Sequence, residues 1–246
     1  TTVELQNLHT KFIQSYWTVS IGGNSKAIKE SVKLIDKFKK SQPNAQLETV
    51  NTKNQSITGK KILLQSVSSK QNIDLSIGGL LPLTISDDDL APFTFGLAVL
   101  GKWGGFAGRL MSIVREKEGL TYGIYAKAEG LSKFETGYWR IMTFFAPKDA
   151  VKGITSTLRE VRKIQEDGIT ESEWKRFKNI LKTSEVLVYD SLVSTVGFVH
   201  GALLSGMSLA EYKHYRERLY TCTRTEVNRA LKKYLDPNCL VISAAG

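Results

Sequence analysis

Histidine is scarce in this chain. His9, His200 and His214 are the only three in 246 residues, and no two are spaced as metal ligands on one helix would be. That excludes a zinc site built on a helical pair of histidines. Cysteine is scarcer still: Cys222 and Cys239 lie in no C-x-x-C motif and are too few for a disulfide framework. The chain opens on Thr1-Thr2-Val3-Glu4, with no initiator Met, basic n-region or apolar h-region, and reads as a mature product or a cut fragment. Its one long apolar run, Val186 to Met207, nears the ~20 residues that cross a bilayer, but it holds Asp190, His200 and three glycines. An unpartnered Asp in hydrocarbon would cost ~3 kcal/mol, so buried core helices are expected there and no membrane span.

The remaining composition is that of a globular domain. Hydrophobic residues make up 41%, enough for a real core, and the formal net charge is +10. The lysines are spread along several segments instead of forming one block, and no aromatic-rich basic motif accompanies them. The charge therefore speaks for solubility and not for a nucleic-acid partner.

The local pattern predicts alternating elements. A Thr1-x-x-Glu4 capping box starts a helix through Leu5, Leu8, Phe12 and Ile13, and a strand is expected from Tyr16 to Ile21. Ile28, Val32, Ile35 and Phe38 mark an amphipathic helix over Lys26 to Lys39, and the polar stretch from Ser41 to Gly59 a loop. Strands are expected at Lys61 to Val67 and Asn72 to Gly79, then a helix from Ser86 to Leu100 and another from about Phe106 to Lys117. Gly119 releases the chain into a hairpin of Tyr122 to Ala128 and Glu135 to Phe145. Pro147, Thr170-x-x-Glu173, Ser208-x-x-Glu211 and Thr223-x-x-Glu226 open the later helices, and Asn238 to Ala244 closes as a strand. With no linker or repeat, 1–246 reads as a single α+β domain: roughly six strands in a mainly antiparallel sheet, with helices packed on one face.

The most telling stretch is Arg115-Glu-Lys-Glu-Gly119-Leu-Thr-Tyr122, an Arg and a Tyr on either side of a helix-ending glycine. A cation in the last turn of a helix is favoured by ~0.3 to 1 kcal/mol, so Arg115 has a structural reason to exist, and a sheet aromatic is the ordinary account of Tyr122. Set between Gly104-Gly105-Phe106-Ala107-Gly108-Arg109-Leu110 and Tyr125 to Gly130, however, the stretch resembles the second domain of a pitrilysin/insulinase-family zinc peptidase half. The likeness runs from Leu8 to the closing residues. In that family the zinc sits on a His-x-x-Glu-His helix, which this chain lacks, and an Arg/Tyr pair reaches the site from another domain.

The resemblance implies that Arg115 and Tyr122 orient the substrate backbone and assist the oxyanion of a peptide bond. A guanidinium stays charged and a phenol adds a neutral O–H donor, and donors aimed at a developing negative charge stabilise the transition state. It implies a polypeptide substrate and a zinc-bearing domain or subunit as partner, with no cofactor bound by this chain, and it favours a periplasmic or other exported compartment. A structural member of the same fold, like the core subunits of respiratory complexes, is the alternative.

Other residues carry weaker readings. Gly104-Gly105 either lets a peptide approach the backbone or makes a tight turn. Gly101 to Gly105 lacks the Gly-Lys-Ser/Thr ending of a phosphate loop. Gly78-Gly79 is read as ending a strand at an exposed edge where an extended peptide could add. Arg109 supports the fold or touches substrate. Glu171 and Glu173 belong to a cap, and His200, among Phe198, Val199, Ala202 and Leu203, is a core or interface histidine.

Overall fold

The computed structural model describes residues 1–15, 17–40, 56–102 and 105–246. In chain order these form α1 (Thr2–Gln14), α2 (Ser25–Lys40), β1 (Lys60–Gln65), β2 (Ile73–Leu81), α3 (Leu90–Gly101), a π-helical stretch (Met111–Lys117), β3 (Ile124–Glu129) and β4 (Gly137–Phe145). After them come α4 (Ala150–Asp167), α5 (Glu171–Val186), α6 (Leu192–Leu204), α7 (Leu209–Thr221), α8 (Arg224–Tyr234) and β5 (Leu240–Ala245). Where the sequence reads as one domain, the contacts gather into two compact units: Thr1–Gln55 with Val186–Leu204, and Ser56–Glu185 with Ser205–Gly246.

The larger unit is an α+β sandwich. Its sheet has five strands in the order β1-β5-β2-β4-β3, antiparallel except for the parallel β1–β5 pair. Alternation along the strands decides the layering: Leu75, Ile77 and Leu81 of β2, with Trp139, Ile141 and Phe145 of β4, are buried, while Leu80 and Tyr138 on the other face are exposed. The helices close the buried face. Nearly all of α3 is inside, and the Asp89 carboxylate just before it accepts from Arg229 (2.8 Å), Lys233 (3.3 Å) and Tyr234 (2.9 Å), binding its start to the end of α8.

Several expectations are corrected here. Residues 17–22 form no strand, because no strand among the described residues offers them a ladder, and Tyr16 lies outside the described residues. The sheet therefore has five strands among the described residues, not six. The expected loop from Ser41 lies mostly outside them as well. The helix expected at Ser86 begins at Leu90, because Asp87 accepts from both the N–H and the hydroxyl of Thr84 (2.7 Å each) and forms a turn first.

The smaller unit is organised differently. Trp17 lies between Phe12 and Phe38, with ring centres 5.1 and 5.2 Å away, and the Ser20 hydroxyl is 3.1 Å from His200 Nδ1, which makes His200 a satisfied, half-buried histidine. The run from Val186 was expected to be core. Instead Val186, Leu187, Leu192, Val193, Leu203 and Leu204 are exposed, and Ala202 is the fully buried residue of α6. Among the described residues no single helix is long and apolar enough to cross a membrane.

Candidate functional site

Arg115 stands on a helical stretch of unusual winding. Instead of the α-helix expected over 106–117, Met111–Lys117 is π-helical, and it closes through Glu118 N–H to the Ile113 carbonyl (2.9 Å), Gly119 N–H to Arg115 (3.0 Å) and Leu120 N–H to Val114 (3.0 Å). Inserting a residue into a helical turn re-aims the side chains beyond it, and such bulges recur at functional sites. Gly119 then turns the chain at φ +66, as its place after the helix predicts.

The stretch is anchored at its start by Arg109. Nε and Nη2 of Arg109 donate to the two carboxylate oxygens of Glu173 (2.7 and 2.8 Å), and Nη2 also donates to the Gly168 carbonyl (2.8 Å). Burial pushes the Glu173 carboxyl up, but hydrogen bonds from Arg109 and Thr170 outweigh it and hold the group below its ordinary value. Arg109 is thus a structural residue. Glu173 does two jobs, since it also completes the cap of α5 with Thr170.

Tyr122 is held by its neighbours. The Gly123 N–H donates to the Thr121 hydroxyl (3.3 Å), and the buried Thr143 of β4 donates to the Gly123 carbonyl (3.0 Å). Between these tethers Tyr122 is left 69% exposed. The strand starts at Ile124, two residues later than expected, so Tyr122 lies on a short pinned loop at the sheet's rim.

The two predicted residues meet. The guanidinium carbon of Arg115 is 5.3 Å from the centre of the Tyr122 ring and 4.9 Å from that of Phe106, a residue that sequence reasoning did not single out. The nearest carboxylate interaction is a loose one with Glu116 at 3.8 Å, and Glu118 is taken up by Arg159 (2.7 Å). No described residue accepts a hydrogen bond from the Arg115 N–H groups or the Tyr122 hydroxyl, the Glu116 carboxylate at 3.8 Å being the one acid among them within ion-pair reach of Arg115. This is a rim of unspent donors.

The glycines divide. Gly104 lies outside the described residues, and at Gly105 an added Cβ would make only ordinary contacts with Lys102, 3.7 Å away. Gly108 is required by its geometry, with φ +113 and backbone atoms of Gly101 2.8 Å from where a Cβ would stand. Gly78-Gly79 does not end an edge strand. β2 runs on to Leu81, paired with β4 along its length and with β5 from Asp74 to Gly78, so it is an inner strand, and the edges of the described sheet are β1 and β3. A Cβ at Gly79 would stand 2.9 Å from the Cys239 carbonyl and 3.1 Å from the Trp139 indole, one at Gly78 only 2.1 Å from the Trp139 carbonyl, and both glycines line an open-face groove of about 260 Å³ with Leu80, Tyr138 and Arg140.

Among the described residues no three His, Cys, Asp or Glu side chains gather into a possible metal site. Burial pushes the Cys222 thiol up to about 11, away from the thiolate that metals bind.

The larger unit is thus an α+β sandwich that carries the Arg115/Tyr122 rim and holds, among its described residues, no cluster of metal-ligating side chains. The chain belongs to the family described as the peptidase M16 inactive domain, whose profile matches residues 3–181. It is similar to the crystal structure of a peptidase M16 inactive domain from Pseudomonas fluorescens, with a TM-score of 0.72 and 22% identity over 89% of this chain and 51% of that one. It is also similar to a chain of complex III from Candida albicans, with a TM-score of 0.61, 19% identity, and 87% and 52% covered. A relative in Helicobacter pylori, named as the non-peptidase homolog YmxG, is 26% identical over 166 residues, which are 66% of this chain and 37% of that protein. The chain thus spans about half the length of those two structures and less of the curated relative.

Proposed function

We propose that this chain is the noncatalytic, substrate-holding part of a zinc metalloendopeptidase acting on peptides or unfolded polypeptides, with its metal and general base supplied by another domain or subunit. The observation that carries the reading is the meeting of Arg115 and Tyr122 at one exposed rim with their donors unspent. An extended peptide offers carbonyl oxygens to such donors. A fixed guanidinium and a phenol aimed at one of them orient the backbone and favour the form in which that oxygen carries more negative charge. Arg109, Gly108 and Thr143 hold the elements that carry the pair, so the donors need little rearrangement on binding. The metal supplies the hydrolytic chemistry from elsewhere, and the isolated chain neither holds zinc tightly nor cleaves peptides.

Arg115→Lys and Tyr122→Phe test this in the assembly with the zinc-bearing partner. Loss of one such donor is expected to lower turnover by about 10²-fold or more with zinc content unchanged. Undiminished peptide hydrolysis in both variants overturns the reading.

A structural, non-peptidase role has equal support from the relatives, one named as a non-peptidase homolog and one a chain of a respiratory complex. On that reading the assembly forms but turns over no peptide, and substitution of Arg115 or Tyr122 alters neither its formation nor its stability.

A further inference from the structure

Phe106 is 61% exposed, although the centre of its ring is 4.9 Å from the Arg115 guanidinium carbon. The residues that flank it are tethered. The Lys102 N–H donates to the carbonyl of the next residue, Ala107 (3.1 Å), and Gly108 packs against Gly101 at φ +113. The fold thus holds an aromatic ring in water beside a cation, where it adds nothing to the core, at about 25 cal/mol for each Å² of apolar surface left uncovered. Apolar surface next to a few oriented donors is the composition of a ligand site.

We propose that Phe106 is a third substrate-contacting residue, whose ring takes an apolar side chain of the bound peptide next to the carbonyl that Arg115 and Tyr122 hold. The inference rests on the reading that those two residues bind the peptide backbone. Division of labour follows from the chemistry. The donors of Arg115 and Tyr122 read the backbone, common to all peptides, whereas Phe106 reads side chains, because only an apolar or aromatic group gains by covering its ring. The Arg115–Phe106 contact uses the charge of the guanidinium and leaves its N–H groups for the carbonyl.

The test uses the 246-residue chain and dye-labelled, unstructured Gly/Ser peptides that carry a single Phe, Leu or Ala, with affinity read by fluorescence anisotropy. The Phe peptide is expected to bind about three- to tenfold more tightly than the Ala peptide. Phe106→Ala should erase that preference and leave the Ala peptide unaffected, and Phe106→Trp should restore it. Arg115→Ala should weaken all three peptides alike. Equal loss for every peptide in Phe106→Ala, with melting unchanged, would make Phe106 a positioning residue for Arg115 and overturn the proposal, as would no loss at all. Absence of binding to the unmodified chain, or binding indifferent to Arg115→Ala, overturns the backbone reading itself and this inference with it.

Discussion

Two apolar helices of this chain have opposite fates. α3, Leu-Ala-Pro-Phe-Thr-Phe-Gly-Leu-Ala-Val-Leu-Gly, is buried at every residue but Thr94, whereas α6, Leu-Val-Ser-Thr-Val-Gly-Phe-Val-His-Gly-Ala-Leu-Leu, buries Ala202 and leaves Val193 83% exposed. Both sequences read as core. What separates them is what lies on the other side. α3 meets β3, α7 and α8, so its all-round apolar surface is covered, while α6 packs with the short 3₁₀ turn at Leu187–Tyr189 and with a few residues of its own unit. An apolar run shows that a helix is suited to being covered; only the surrounding surfaces do the covering.

The contrast can be broken most forcefully at its buried end. Phe95→Ala should cost about 3–5 kcal/mol in urea unfolding, while Val193→Ala should stay within about 0.5 kcal/mol. If Val193→Ala proves costly in a larger assembly and harmless in the isolated chain, α6 is covered there by something else.

Next comes the tie beneath the site. Arg109→Met leaves the half-buried Glu173 and the Gly168 carbonyl without their guanidinium, with an expected loss of about 2–3 kcal/mol by denaturation. Gly108→Ala should cost about 1–3 kcal/mol, because its φ of +113 and the neighbouring Gly101 backbone both oppose a side chain. It should also weaken binding of the Phe peptide, since it shifts the loop that carries Phe106.

A smaller loss than these belongs to the caps. The Glu226 carboxylate, held down to about 2 by the Thr223 N–H, Arg218 and the Thr223 hydroxyl, gains stability from folding that is fully present above 4.5 and lost as pH falls toward 2. Thr223→Ala should remove about 1 kcal/mol at neutral pH and shrink the acid-dependent part of the loss, read as melting temperature against pH.

Much of this was legible because it is local. Capping boxes at Thr1, Thr170, Ser208 and Thr223 formed as read, since both partners lie within four residues and the helix supplies the geometry. The β3–β4 hairpin and the turn at Gly119 followed for the same reason. The family resemblance paired Arg115 with Tyr122, and the helix, glycine break and strand start between them put both at one rim. Phe106 could not be placed there in the same way, because its ring reaches Arg115 through the winding of the π-helical stretch and not through any period in the sequence. The strand expected at Tyr16 to Ile21 failed on a different point: β character in a segment is only half of a ladder.

By itself the sequence determined the succession of helices and strands after the first helix pair, the chain reversals at its glycines, the alternating face of β2 and β4, and the absence of paired histidines for a metal. All of these depend on neighbours along the chain, where dihedral preferences and short-range hydrogen bonds act. Tertiary structure alone decided which strands are edges, that Arg109 spends its donors on Glu173 while Arg115 keeps its own, and which apolar helix is buried. Those outcomes turn on atoms distant in sequence competing for the same acceptor, the same ladder or the same surface, and no local preference states the winner.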